Sequence, residues 1–322
     1  MVSREWSVVS GIPLLTTGYC RWPMSSRTAT LTGLGAIALW SLLALFTAAT
    51  GAVPPFQLAA MTFAIAGALG ITVAAARGRL SYASPSCAGL ALGLYGLFGD
   101  TALYFAALKF APPAEANLVH YLWPLLIVLF AALLPGGRLQ PRHLVGAVLG
   151  FAATALLIGG RFGGAGANAV LGFCFALLGA FVWASYSVAS RRLAEVPTET
   201  VAVTCLAASA LAAACHLLFE ATRWPVGASE WFAVFGLGLG PIGAAFFLWD
   251  IGMKKGDVPL LGVASYAAPV LSTLTLVLAG YAEPTAALAA SCVLIVAGAV
   301  IATFAPARAS AASPGAYSGK RR

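Results

Sequence analysis

Tyr121-Leu122-Trp123-Pro124 returns 145 residues later as Tyr266-Ala267-Ala268-Pro269, each time in the middle of a long apolar run. The same offset carries Tyr104 onto Trp249 and Lys109 onto Lys254, and an offset of 143 carries Trp40 onto Trp183. One such match would be chance. Together, in a chain made almost wholly of hydrophobic spans, they read as the duplication of a membrane unit. Repeated halves in a membrane are a frequent mark of secondary transporters, whose site lies between the halves near the bilayer midplane.

Composition points the same way. Hydrophobic residues make up 61% of the 322 and charged residues only 9%, where a soluble domain carries about 25% charged residues. The chain is therefore polytopic, and its 35 Gly and 18 Pro suit a transmembrane bundle. A formal net charge of +8 would suggest nucleic acid for a soluble protein. Here the basic residues fall in short loops and tails, so topology accounts for them and no nucleic-acid partner is expected. The six cysteines (Cys20, Cys87, Cys174, Cys205, Cys215 and Cys292) form no CxxC pair and are expected to be buried, inert thiols. There is no HExxH, no Walker A motif and no GxGxxG between a strand and a helix. No metal, cofactor, enzymatic chemistry or ATP-driven transport is expected of this chain.

A span needs about 20 apolar residues to cross the hydrocarbon. Ten candidates appear, at 30–50, 55–76, 86–108, 113–134, 144–160, 170–190, 199–219, 230–252, 258–281 and 285–305. Barrel strands would alternate in polarity and be about half as long, which these runs are not. With the amino terminus in the cytoplasm, 15 of the 18 Lys and Arg side chains face the cytoplasm; only Lys109, Arg161 and Arg223 face outward. That orientation obeys the positive-inside bias and puts both termini inside. Because each half holds an odd number of spans, the second copy is flipped relative to the first. The expected fold is an all-α integral membrane protein: ten transmembrane helices as two inverted five-helix repeats around a central cavity. The chain divides into an N-terminal segment (1–29), a first repeat (30–160), a second repeat (170–305) and a polar, disordered cytoplasmic tail (306–322). Met24 reads as the native start, with the stretch before it a tag or a mis-assigned beginning.

Polar groups inside lipid spans are costly, so each invites a functional hypothesis. Asp100 lies about 12 Å from the outer end of its span at 1.5 Å per residue, near mid-membrane, with Tyr104 at i+4 on the same face. The competing account is a structural aspartate that ties two helices together. Asn117, His120, Tyr121 and Pro124 form a stripe on the fourth span. Pro124 cannot donate to the carbonyl of His120, and Pro269 frees that of Ser265 beside Tyr266 in the ninth span, so both prolines read as hinges. Packing kinks would look the same. Trp40 stands ten residues from either end of its span, and Trp123, Trp183, Tyr186 and Trp249 recur at similar depth. As a set these rings suit a cavity for aromatic or cationic ligands. Asp250 and Lys254, spaced i,i+4, suggest an interfacial salt bridge, and His216 and Glu220 a solvated outer helix end. Glycines at 93, 96 and 99 and at 238, 240 and 243, with Pro241, permit close helix packing or bending.

The ten spans, the early Trp in each half and the prolines of spans 4 and 9 resemble the drug/metabolite transporter superfamily, with two EamA-type repeats over about 33–158 and 170–303. Asp100, His120, Tyr121 and Trp123 make the chain most similar to its YddG-type aromatic amino-acid exporters, although Trp183 departs from the 145-residue register. The resemblance implies two inverted four-helix groups around a cavity, with spans 5 and 10 set aside. It also implies export of amino acids across the bacterial inner membrane, and in some members of hydrophobic cations. Spans 1, 3, 4, 6, 8 and 9 would then line the cavity. Trp40, Tyr104, Tyr121, Trp123, Trp183, Tyr186 and Tyr266 would hold the side chain, while Asp100, His120 and Ser265 would meet the zwitterion. Such a carrier works with a small-molecule substrate and the lipid bilayer as partners, without cofactor, and as a monomer. A nucleotide-sugar carrier would want buried Lys or Arg, which the spans barely offer, and an intramembrane enzyme would want a ligand cluster that only Asp100 and His120 approach.

Overall fold

The computed structural model describes residues 25–133, 141–159, 167–190, 196–256, 261 and 264–303. The N-terminal segment through Met24 and the tail from 304, for which a late start and disorder are expected, lie outside the described residues. Regular structure among the described residues is helical throughout, as a lipid environment demands of a chain that must satisfy its backbone groups internally. Six helical stretches are long and apolar enough to cross a membrane: Ser26–Ala49, Pro55–Ala76, Cys87–Phe110, Asn168–Ser190, Thr200–Phe219 and Ala228–Met253.

The first of these is α1 (Ser26–Trp40) followed by α2 (Leu43–Ala49), with a break at Ser41 and Leu42 that the sequence gives no proline to announce. Then come α3 (Pro55–Ala76) and a span made of α4 (Cys87–Gly93), a π-helical segment (Leu94–Phe98) and α5 (Gly99–Phe110). The fourth expected span is two short pieces, α6 (Pro113–His120) and α7 (Trp123–Leu133), and the fifth is α8 (Pro141–Gly159). The second half runs through α9 (Ala167–Ser190) and α10 (Thr200–Phe219) to a span of α11 (Ala228–Leu239), a second π segment (Gly240–Ala244) and α12 (Ala245–Lys255). It closes with α13 (Ala267–Leu278) and α14 (Ala286–Thr303). The glycine-rich stretches thus bend by π-helical insertion, a device that accumulates at functional sites. The two insertions lie within one residue of each other under the 145-residue offset.

Helices of one half pack mainly on helices of the other: α3 along α10, α8 along α14, α1 along α12 and α5 along α9. Lipid removes the usual hydrophobic drive between helices, so small residues and hydroxyls hold them. A Cβ on Gly252 of α12 would fall 2.8 Å from the Cα of Gly33 on α1, so these backbones touch. Ser209 Oγ donates to the Ala60 carbonyl at 2.8 Å, and Ser291 Oγ to that of Ala153 at 3.2 Å. On the outside, Leu217, Phe219 and Leu278 are about three-quarters exposed, a belt that suits lipid rather than water.

The helix end at His216 and Glu220 is not solvated as expected. Glu220 accepts from the backbone N–H groups of Phe56 and Gln57, at 2.9 and 3.0 Å, in the first turn of α3. His216 is buried between Glu220 and Thr222, at 2.9 Å from each. Unsatisfied amides and partial positive charge at a helix start draw in a carboxylate, and here they draw it from the other half. Lys109 likewise turns back on the protein, donating to Thr50 Oγ1 and the Gly51 carbonyl at the end of α2. The thiols are not uniformly buried either: Cys205 is, but Cys87 and Cys174 are exposed, because these apolar helices turn one face outward. Lys254's side chain lies outside the described residues, so the expected bridge to Asp250 does too; Asp250 also accepts from Thr198 Oγ1.

Candidate functional site

Pro124 cannot continue the ladder from His120, and the chain makes a turn at Tyr121 and Leu122 before α7 starts. The same turn falls at Ser265 and Tyr266 before α13, three residues ahead of Pro269. In span 1 the break after Trp40 leaves carbonyls to satisfy, and Thr275 Oγ1 donates to that of Ser41 at 3.2 Å. At the second π segment the carbonyl of Pro241 accepts the indole N–H of Trp40 at 3.0 Å. Irregular backbone at membrane depth is tolerated where protein or a cavity covers it, and these breaks surround one.

The cavity has about 510 Å³ of empty volume and is lined by Trp40, Leu43, Asp100, Thr101, Tyr104, Asn117, His120, Tyr121, Trp123, Trp183, Ile242 and Phe246. At its polar end His120 Nε2 lies 2.7 Å from Asp100 Oδ1, with both side chains nearly buried. The Tyr104 ring packs 4.6 Å from the imidazole. Its hydroxyl donates to Asn117 Oδ1 at 2.7 Å, and Asn117 Nδ2 donates to Ser272 Oγ at 2.9 Å. The polar chain therefore crosses from α5 through α6 to α13. Gly179 on α9 makes room for the pair: a Cβ there would fall 3.2 Å from His120 Cδ2 and 3.3 Å from Asp100 Oδ1.

At the other end, aromatic rings close on one another. Trp40 has ring centroids 6.5 Å from Trp123, 5.7 Å from Trp183, 5.1 Å from Trp249 and 6.4 Å from Phe246. Trp183 stacks on Phe246 at 5.9 Å. Trp183 and Phe246 also line a second, wider space of about 1140 Å³ that includes Tyr186, Ser187, Trp249 and Asp250. The two spaces share this wall of rings.

Seven of the expected site residues, Trp40, Asp100, Tyr104, His120, Tyr121, Trp123 and Trp183, thus meet in one cavity. Tyr186 does not join them and lines the second space. Ser265 is buried and donates to the Leu261 carbonyl at 2.8 Å; neither it nor Tyr266 lines either cavity. Among the described residues span 9 reaches the site through Ser272, while its serine nearest the break back-bonds to the Leu261 carbonyl. Four lining residues carry little sequence signal: Leu43, Thr101 and Ile242 are ordinary apolar or hydroxyl side chains, and Phe246 is one of many phenylalanines. Asn117 is legible only as part of the span 4 stripe.

The EamA-like transporter family matches the chain twice, at residues 27–159 and 170–304. The aromatic amino acid exporter YddG of Ancylobacter novellus is 60% identical over 284 residues, covering 87% of this chain and 99% of that one. The proteins of the same name in Salmonella typhimurium and Escherichia coli are each 30% identical, over 78% of this chain and 88% of theirs. A protein solved by crystallography is 59% identical and superposes with a TM-score of 0.70, covering 87% of this chain and 98% of its own. Two copies of the family's domain flank a cavity walled by helices of both, and the chain belongs to the EamA-like transporter family.

Proposed function

We propose that this protein is a secondary transporter that exports aromatic and other neutral amino acids by alternating access. The observation that carries the reading is the Asp100–His120 pair at one end of an aromatic cavity. A buried acid and base in contact satisfy one another. A zwitterion carries both complements, with its ammonium for Asp100 and its carboxylate for His120, and can replace one internal pair with two new ones. Trp40, Tyr104, Tyr121, Trp123 and Trp183 would face an aromatic side chain by stacking and edge contact. The relatives named for aromatic amino-acid export support this choice of substrate.

The architecture that serves this function is ten spans in two inverted repeats, in the bacterial inner membrane, with both termini cytoplasmic and the monomer as the working unit. Helix contacts support the repeat. Exchanging the halves turns α1·α12, spans 1 and 8, into α9·α5, spans 6 and 3, and returns α3·α10 and α8·α14 to themselves. Pro124 and Pro269 mark matched breaks about which the halves rearrange.

A second reading, export of hydrophobic cations, uses the rings and Asp100 but gives His120 no role. Reconstituted liposomes decide between them. Counterflow of labelled phenylalanine should be blocked by tryptophan and tyrosine and left intact by methyl viologen. Inhibition by methyl viologen with none by amino acids would establish the second reading.

A further inference from the structure

Under the proposed repeat, spans 1 and 3 correspond to spans 6 and 8. The two pairs of spans are not arranged alike. α2, the outer piece of span 1, packs on α5 of span 3 and on α6 of span 4, and α13 of span 9 packs on α6 as well. The counterparts border the wider space of about 1140 Å³ instead, with Tyr186, Ser187 and Ser190 from span 6 facing Trp249 and Met253 from span 8. The duplicated helices thus meet at the end that the proposed topology places outside. At the end it places inside they stand apart, beyond the stack of Trp183 on Phe246.

Two side chains fasten the outer end. Asn117 of α6 donates to Ser272 of α13 at 2.9 Å, next to the inner cavity. Farther out, in the last turn of α5, Lys109 Nζ donates to Thr50 Oγ1 at 3.0 Å and to the Gly51 carbonyl at 2.7 Å. A lysine at a helix end can extend to water; this one bends back over span 1. Two charge-assisted bonds offset the side-chain entropy lost in that posture. Gly51 takes the left-handed conformation, with φ 61°, that ends span 1. The Glu230 carboxylate, at the start of α11, lies against Gly51 and accepts the Val226 N–H at 2.9 Å, which sets a negative charge near the ammonium. Spans 2 and 7 differ from this mouth because they are fastened at both faces, by Glu220 on the start of α3 and by Arg79 to Glu199 at 2.7 Å. That pair serves as the axis.

From this asymmetry we infer that Lys109 latches the outer mouth of the carrier. Its tie from α5 to the end of α2 holds spans 1 and 3 together in this conformation, which faces the cytoplasm. The outward-facing conformation forms when the tie breaks. Lys109 acts by setting the balance between the two conformations, without touching the substrate. The meaning of that balance rests on the export reading, and the side of the membrane on the proposed topology; the latch itself rests on neither.

Cysteine accessibility tests this on the full chain in cells. In a background whose native cysteines are replaced, Thr101→Cys puts a reporter in the inner cavity and Ser190→Cys puts one at the wider space. A small impermeant methanethiosulfonate should modify the first only slowly in intact cells. Lys109→Met, which keeps the length and removes the donor, should speed that reaction about tenfold or more, as expected when hydrogen bonds to a charged group no longer hold down a minor open state. Lys109→Arg should keep most of the shielding. Thr50→Val removes one of the two acceptors and should give a smaller rise, with little further effect when added to Lys109→Met, because both changes break one tie. After permeabilisation the reporter at 190 should react no faster in Lys109→Met than in its parent. No faster reaction at 101 in Lys109→Met, an equal rise at both reporters, or full additivity of Thr50→Val with Lys109→Met would each overturn the latch. Unchanged shielding in a Lys109→Met protein that still exchanges phenylalanine sinks the latch alone. The expected rise in a protein whose parent moves no amino acid sinks the export reading alone.

Discussion

Trp40 donates its indole N–H to the carbonyl of Pro241 at 3.0 Å, although the two stand 201 residues apart and in opposite halves of the chain. The donor comes from the residue at which α1 breaks, and the acceptor from the π segment of the span that packs on it. Two departures from regular helix thus satisfy each other at membrane depth, where no water is available to do so. The same ring touches Trp123, Trp183, Trp249 and Phe246, so the bond also fixes the wall between the two cavities. A carrier that alternates must loosen this contact in part of its cycle.

Trp40→Phe keeps a ring and removes the donor. Losing one hydrogen bond should lower stability in detergent by about 1 kcal/mol, and the phenylalanine counterflow rate should fall several-fold. Trp40→Ala opens a void and should cost roughly 3–5 kcal/mol, with transport lost. Thermal unfolding and counterflow on the same preparations separate the two effects. Wild-type counterflow from a folded Trp40→Phe protein would show that the bond has no part in the cycle.

Gly179 allows Asp100 and His120 to meet beside α9. A methyl group there is tighter than ordinary contact, so Gly179→Ala should reduce transport modestly through a shift of a few tenths of an ångström. Gly179→Val should abolish it, because a branched side chain cannot share that volume with the imidazole. Membrane insertion, read by fractionation, should be normal for both. Full activity of Gly179→Val would mean that the pair need not form.

Much of the candidate site is legible in the sequence, and the reasons differ by residue. Asp100 and His120 stand out because ionisable groups in apolar spans are rare, and Pro124 because its chemistry dictates a break. The break at Ser41 was not legible: no proline marks it, and it exists because Trp40 and Thr275 reach partners in other spans. His216 and Glu220 read as a solvated end because the partner of Glu220, the start of α3, lies far off in sequence. Ser265 reads as a ligand since its register matches the His120 position, yet its hydroxyl turns back to the Leu261 carbonyl of its own chain segment. Tyr186 shows the limit of depth alone: it lies level with the aromatic set but on the far side of Trp183.

The topology can be tested at positions the structure leaves open. Lys109 is a poor reporter, since it is tied to Thr50 and Gly51. Val226 is 93% exposed in the link between α10 and α11, and Lys255 is exposed at the end of α12. With both termini cytoplasmic, a single cysteine at 226 should react with an impermeant maleimide in intact cells. One at 255 should react only after permeabilisation. Labelling of position 255 from outside would reverse the orientation and contradict the positive-inside count.

Removing one member of the Asp100–His120 pair leaves the other buried without its complement, which typically costs about 3–5 kcal/mol. Asp100→Asn and His120→Asn should each lower detergent stability markedly, and the double variant should cost less than their sum, as coupled neighbours do. Additive losses would mean that the two side chains act independently despite the 2.7 Å contact.

The same pair bears on how transport is driven. One proton shared between Nε2 and Oδ1 could be exchanged with bulk water, which would make the carrier a proton antiporter. A zwitterion that inserts between the two groups needs no such exchange, because it brings equal and opposite charges and leaves the net charge of the site unchanged. Tyr104 and Gly179 pack against the pair, and a dedicated proton path needs a continuous chain of polar groups to water. Facilitated diffusion down the amino-acid gradient is therefore the expected mode. Counterflow in liposomes should proceed with equal pH on both sides, and an imposed pH gradient should not drive accumulation beyond equilibrium. Asp100→Asn should weaken counterflow itself. If instead a gradient drives uphill accumulation, and Asp100→Asn abolishes that accumulation while counterflow survives, the aspartate carries the proton and the mode is antiport.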